Sequence, residues 1–180
     1  DTRRGFLKKT GATVLGTALA GVNTFASGIH LGHNADKVLR VGLIGCGGRG
    51  TGAATDCMSS SAGVELWAMG DLFQDRLDGS FSGLSGNEGL KGKFNVTKDR
   101  CFVGWDAYKK VIASGVDLVI LATPPGFRPM HLKAAVEAGK HVFMEKPVAV
   151  DAPGIRTVLA AGEMAKQKRL GIVAGTQRRH

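Results

Sequence analysis

Val38-Leu39-Arg40-Val41-Gly42-Leu43-Ile44 runs directly into Gly45-Cys46-Gly47-Gly48-Arg49-Gly50. The first seven residues are mostly aliphatic and β-branched, the composition of a strand buried on both faces of a parallel sheet. The next six match G-x-G-x-x-G, and a helix is expected over about Gly50–Met58. Alone, the hexapeptide says little in a chain with 27 glycines among 180 residues, about twice the usual share. Between a strand and a helix it reads as a phosphate loop. Gly45 permits the tight turn, Gly47 lets the backbone approach a pyrophosphate, and Gly50 lets helix and strand pack closely. The loop, with Cys46, Gly48 and Arg49, offers main-chain N–H groups at the positive end of the helix. An ordinary glycine-rich turn is the competing reading.

Outward from this stretch, strand and helix patterns alternate. A second strand, Val64–Met69, ends at Asp71, and residues 72–100 are polar and glycine-rich, with helical character only near Leu72–Leu77. A long excursion is expected there. Further strands are expected at Cys101–Val103, Val116–Ala122, His141–Met144 and Leu170–Ala174, with helices at Trp105–Ser114, 128–138 and 151–167. Gly139 is placed to end helix 128–138 as its C′ residue. Strands separated by helices give an α/β fold: a doubly wound parallel sheet with both faces covered.

In such sheets ligands bind beyond the carboxyl ends of the strands, so the segments after each strand are the ones to weigh. Asp71 could accept hydrogen bonds from both ribose hydroxyls of an adenosine and repel a 2′-phosphate, which favours NAD without excluding NADP. Arg76 nearby weakens that preference, and Asp71 could instead cap the next helix. Thr123-Pro124-Pro125 ends the fourth strand, where an extended backbone could run beside a nicotinamide ribose or simply terminate the strand. His131 could face the same site or lie along its helix. Glu145-Lys146-Pro147 follows the fifth strand. A lysine at a crevice floor can donate a hydrogen bond or proton to an alcohol or carbonyl oxygen, with Pro147 fixing its angle. A surface loop is the alternative. The last segment, Gly175-Thr176-Gln177-Arg178-Arg179-His180, could hold an anion or be a basic tail.

Composition bounds the rest. Apolar residues at 43% and charged residues at 22% argue against global disorder, and five prolines without a three-residue glycine period exclude collagen. The net charge of +9 raises nucleic acid as a partner. With one tyrosine and no zinc-finger or RNP pattern, no nucleic-acid role is expected. Cys46, Cys57 and Cys101 form no C-x-x-C and are read as free thiols. Thr2-Arg3-Arg4-Gly5-Phe6-Leu7-Lys8, then the apolar run Thr10–Val22 and small residues, has the three parts of an export signal. The run is too short to span a bilayer, so no stable membrane span is expected; a basic amphipathic helix at a membrane surface is the alternative. The paired arginines resemble a twin-arginine signal, so the twin-arginine export machinery is the expected partner and the destination periplasmic or otherwise extracytoplasmic. Residues 1–26 are assigned to the signal, 27–36 to a linker and 37–180 to the dinucleotide-binding domain. Because the chain starts with Asp1 rather than Met, residues are expected upstream.

Val41-Gly42-Leu43-Ile44-Gly45-Cys46-Gly47-Gly48-Arg49-Gly50, Ala122-Thr123-Pro124-Pro125 with His131, and Ala138-Gly139-Lys140-His141-Val142-Phe143-Met144-Glu145-Lys146-Pro147 resemble the Gfo/Idh/MocA oxidoreductases. The resemblance covers residues 38–180 and is most specific in AGKHVFMEKP. It implies a Rossmann domain, a nicotinamide cofactor, and hydride exchange with a hydroxyl carbon of a sugar or polyol. It assigns the catalytic lysine to Lys146 and suggests a cis Lys146–Pro147 bond. A glycosidase that recycles its NAD is the variant chemistry on this scaffold, and a non-catalytic dinucleotide-binding module is the reading from another class. The family continues into a C-terminal α/β domain that supplies an Asp/His pair, most substrate contacts and often a dimer interface. That domain is expected beyond His180, so residues 1–180 alone are expected to bind cofactor without turnover.

Overall fold

A computed structural model describes residues 38–176. Residues 1–36, read above as an export signal and a linker, Lys37 and Gln177–His180 lie outside the described residues. The strands are β1 (Leu39–Ile44), β2 (Val64–Asp71), β3 (Cys101–Val103), β4 (Leu118–Leu121), β5 (His141–Met144) and β6 (Ile172–Ala174). The helices are α1 (Gly48–Ser60), α2 (Gln74–Ser85), α3 (Ala107–Ala113), α4 (Arg128–Glu137) and α5 (Ala152–Gln167). All strand pairings are parallel, in the order β3-β2-β1-β4-β5-β6. The crossovers reverse direction between β1 and β4, which opens a crevice at the carboxyl edge there.

Strand alternation builds two cores. Val41, Leu43, Leu66, Met69 and Ile120 face α1 and α2, with Ala53, Ala54, Met58, Leu77 and Leu84 packed against them. Ile44, Ala68, Val119, Leu121, Val142 and Met144 face the other way, toward Val111, Leu132, Ala135, Val136 and Ala161 of α3, α4 and α5. Strand glycines make room on this second face. A Cβ on Gly42 or Gly70 would stand 2.6 or 2.8 Å from the methyls of Val111, so α3 lies closer to the sheet than an alanine would allow.

Helix ends follow local chemistry. Asp151 caps α5 by accepting from the Gly154 N–H at 2.7 Å. Gly139, at φ 73°, closes α4 as expected. Lys93 donates to the Met58 and Ser61 carbonyls after α1, and Lys168 to those of Val136 and Glu137 after α4. Part of the net positive charge thus serves helix C-termini.

The stretch expected to be a long excursion corrects the sequence reading. Residues 74–85 form the twelve-residue α2, followed by 3₁₀ turns at Glu88–Leu90 and Lys98–Arg100. Two glycines in α2 cost about 1 kcal/mol each relative to alanine. They face open space, whereas Leu77, Ser80 and Leu84 are buried one and two turns apart. Tertiary burial overrides propensity here. Helix α3 starts at Ala107 rather than at Trp105, which leaves Trp105 on a loop and 70% exposed.

Candidate functional site

The glycine loop leaves β1 through Gly45 at φ 98°, a conformation that L side chains rarely adopt. A Cβ at Gly45 would lie 2.6 Å from the Thr123 nitrogen, and one at Gly50 would lie 1.8 Å from the Gly45 oxygen. Both positions exclude side chains because backbone meets backbone. At Gly47 and Gly48 a Cβ would meet nothing within 4 Å, so that side of the loop is open. Gly47 caps α1 in an extended conformation and has no side chain with which to satisfy the first-turn N–H groups. An open cradle of amides at a helix N-terminus, on the carboxyl edge between β1 and β4, suits an anionic diphosphate.

Asp71, at the tip of β2, is tied to this loop. Its Oδ2 accepts from the Cys46 N–H at 2.6 Å and its Oδ1 from the Phe73 N–H at 3.0 Å. Asp71 does not cap α2, whose N-cap is Phe73 with no side-chain cap hydrogen bond, because it lies two residues too early to reach a first-turn N–H. It fixes the turn into α2, and each carboxylate oxygen keeps lone-pair capacity for a further donor. The Cys46 main-chain N–H is spent on Asp71. Burial, and then the Asp71 charge, raise the Cys46 thiol well above its usual range, so it stays protonated. All three cysteines are free thiols.

Two cavities flank the loop and share Ala122 and Arg128 as lining. The larger, about 420 Å³, lies over β2 and β4 and is lined by Asp71, Phe73, Trp105, Thr123, Phe127 and His131 among others. Its rings form a chain: Trp105 and Phe127 are 6.0 Å apart between centroids, Phe127 and His131 6.2 Å, and Tyr108 and His131 4.3 Å and stacked. His131 Nδ1 lies 3.2 Å from the Thr123 hydroxyl. Desolvation lowers its pKa to about 4, so the imidazole is neutral at pH 7. His131 is thus a wall that props the Thr123-Pro124 rim.

The smaller cavity, about 230 Å³, is lined by Arg49, Ala122, Arg128, Glu145, Lys146 and Gly175. Glu145 is only 5% exposed, and its Oε1 accepts from Arg49 Nε at 2.8 Å and Nη2 at 2.6 Å. This pair bridges the glycine loop and the turn after β5. The next residue, Lys146, is exposed at the cavity, and the Lys146–Pro147 bond is cis, as the resemblance suggested. Gly175, after β6, closes against Glu145; a Cβ there would lie 3.1 Å from Oε2.

Among the described residues, every site residue named from sequence therefore sits on or beside one carboxyl-edge crevice, while Gln177–His180 of the last post-strand segment lie outside them. Sequence reasoning missed Trp105, Phe127 and Arg128. The first follows β3 and the other two follow β4, so the rule of weighing each post-strand segment would have found them.

A family model described as an oxidoreductase family with an NAD-binding Rossmann fold matches residues 39–173. The chain belongs to the Gfo/Idh/MocA oxidoreductase family. Among curated relatives, it is 34% identical over 145 residues to inositol 2-dehydrogenase 4 of Saccharopolyspora erythraea, covering 81% of this chain and 38% of that protein. It is 32% identical over 163 residues to a glycosyl hydrolase family 109 protein of Shewanella baltica, covering 82% and 34%. Scyllo-inositol dehydrogenase of Lactobacillus casei, solved with bound NAD(H) and scyllo-inositol, shares the fold with a TM-score of 0.61 at 24% identity, over 79% of this chain and 37% of that one. The chain spans little more than a third of these Gfo/Idh/MocA relatives, and what it spans is the NAD-binding Rossmann fold.

Proposed function

We propose that this chain is the cofactor-binding part of an NAD-dependent enzyme that oxidises or reduces a hydroxyl-bearing carbon of a sugar or polyol. The observation that carries this reading is the open, uncapped amide cradle at the start of α1, with Asp71 on one side and Lys146 on the other. The main-chain N–H groups of Gly47, Gly48 and Arg49 hold the pyrophosphate. Asp71 takes the adenosine ribose hydroxyls, which favours NAD over NADP, and the aromatic cavity beside it takes the adenine. Thr123 and Pro124 border the path between the cavities. Glu145 and Pro147 hold the turn at the nicotinamide end.

When bound there, the nicotinamide supplies a hydride acceptor. Lys146 donates a hydrogen bond to the substrate oxygen, orienting it and polarising the C–O bond as the carbon loses hydride. The hydroxyl proton passes to a base outside the described residues. A group that acts in this way contributes about 10²–10⁴ in rate. Lys146→Ala in the whole enzyme is expected to reduce kcat by that range while the NADH dissociation constant changes less than threefold. Full turnover in that variant would remove Lys146 from the chemistry, and saturable NADH binding by a wild-type enzyme without turnover on any polyol or glycoside would favour a non-catalytic module. Titration with NADPH beside NADH measures the preference assigned to Asp71.

The relationship to a glycosyl hydrolase family 109 protein supports a second reading, in which the same hydride step opens an elimination and the cofactor is recycled. Accumulation of NADH with an oxidised sugar marks the first reading; glycoside cleavage with constant NADH marks the second. The paired Arg3-Arg4, the apolar run and the small-residue exit support export of the folded protein by a twin-arginine route. Among the described residues no helix is long and apolar enough to cross a membrane. A folded reporter fused behind residues 1–26 should leave the cytoplasm; retention there would exclude the signal.

A further inference from the structure

Arg128 opens α4 under conditions that disfavour an arginine. It is a cation in the first turn of a helix, where the macrodipole is positive, and no acidic residue in that turn offsets it. It is 6% exposed, and burial lowers the pKa of its guanidinium. Its Nε is buried without a hydrogen-bond partner. The Glu145 charge offsets part of this cost, and a sequence that breaks several local rules at one position marks that position for a function. The contacts indicate which one. Nη1 of Arg128 donates to the carbonyl of Pro147, the residue after Lys146. Arg128 also lines both cavities, and Arg49, which shares the smaller one, grips Glu145.

We propose that Arg128 is a positioning residue for Lys146: through the Pro147 carbonyl it clamps the Glu145-Lys146-Pro147 turn from α4, while Arg49 clamps the same turn from the glycine loop. Lys146 is exposed and needs its stem held for its amine to be aimed. A charge-assisted hydrogen bond to the adjoining carbonyl does this without occupying the space of either cavity. The inference rests on the role proposed above for Lys146, but its structural arm does not depend on turnover.

The test uses Arg128→Ala and Arg128→Lys in the whole enzyme. Losing one charged hydrogen bond to the turn should lower kcat about tenfold in Arg128→Ala, with KM for NAD and the NADH dissociation constant changed less than about twofold. Added guanidinium at tens of millimolar should recover about threefold of that loss, and Arg128→Lys, which keeps a donor, should fall between the two. Amide hydrogen exchange read on peptides covering 144–150 should quicken by about tenfold in Arg128→Ala, with 133–138 unchanged. This arm gives an answer even if no substrate of the oxidoreductase class is found. Unchanged kcat, or unchanged exchange at 144–150, would overturn the proposal. So would a tenfold loss of NADH affinity at constant kcat, which would make Arg128 a phosphate ligand instead. If Arg128→Ala does not fold, the same measurements on Arg128→Lys decide.

Discussion

The two cavities on either side of Ala122 are made of opposite materials. Over β2 and β4 the wall is a chain of rings, from Trp105 through Phe127 to His131, whose imidazole is held neutral by burial. Over β5 the wall is charged: Arg49, Arg128 and Lys146 surround a buried Glu145. Apolar walls bind a flat, weakly polar group by area and stacking, with little directional demand. Charged walls spend desolvation energy to hold donors in fixed directions, which is worthwhile where charge develops during reaction. On the function proposed above, the crevice separates holding from chemistry, and the glycine loop is the seam between them.

Striking at the seam should have the largest effect. A methyl at Gly50 would meet the Gly45 oxygen at 1.8 Å, and neither backbone can move without carrying β1 or α1 with it. Gly50→Ala is expected to cost about 3 kcal/mol or more in unfolding free energy and to abolish NADH binding. Gly52, two residues further along α1, faces open space, and Gly52→Ala should stabilise by about 0.5–1 kcal/mol through helix propensity alone. Denaturant melts of the two variants provide the contrast. If both behave alike, the backbone contact between Gly50 and Gly45 is not what constrains the seam.

How much of this was legible beforehand differs between the two cavities. The charged one was read almost completely, because Glu145-Lys146-Pro147 and the glycine loop are contiguous motifs whose chemistry is carried by residue type. Its exception is Arg128, whose role depends on a carbonyl 19 residues away. The aromatic one was read in part: Asp71, Thr123, Pro124 and His131 were named, whereas Trp105 and Phe127 were not. Trp105, Phe127 and His131 come from different loops and one helix, and nothing in their local spacing says that their rings will meet. The sheet was legible because each strand is a short, mostly apolar run bounded by turn residues. Helix α2 was not, since its glycines lower local propensity and only the burial of Leu77 and Leu84 against the sheet reveals it. The tie between Asp71 and the Cys46 amide was likewise invisible, because it joins residues 25 apart through a turn.

The neutral histidine gives the aromatic side a pH signature. Its folded pKa of about 4 lies below the ordinary 6.5, so above pH 6.5 both folded and unfolded chains hold it neutral and its contribution is complete. Between pH 6.5 and 4 the unfolded chain takes up a proton that the folded chain refuses, and stability falls. Below about 4 no further loss comes from this group. The shift corresponds to a ceiling of roughly 3 kcal/mol. His131→Asn cannot titrate, so its unfolding free energy should fall less steeply than that of the wild type across that window, whatever its absolute stability. Parallel slopes would mean that His131 is charged or solvated, and the contrast between the two cavities would narrow.

The smallest effect belongs to the ring at the mouth of the aromatic cavity. Trp105 is 70% exposed, so it adds little to the core, and Trp105→Ala should leave the melting temperature nearly unchanged. Its ring lies 6.0 Å from Phe127 and borders the space proposed for the adenine. Removing one stacking face should weaken NADH binding about fivefold, roughly 1 kcal/mol, without altering kcat at saturating cofactor. Isothermal titration with NADH and with nicotinamide mononucleotide separates the halves of the crevice. The dinucleotide should lose affinity and the mononucleotide, which has no adenine, should not. An equal loss for both ligands would mean that Trp105 shapes the whole crevice, and that the division between a holding side and a reacting side is drawn in the wrong place.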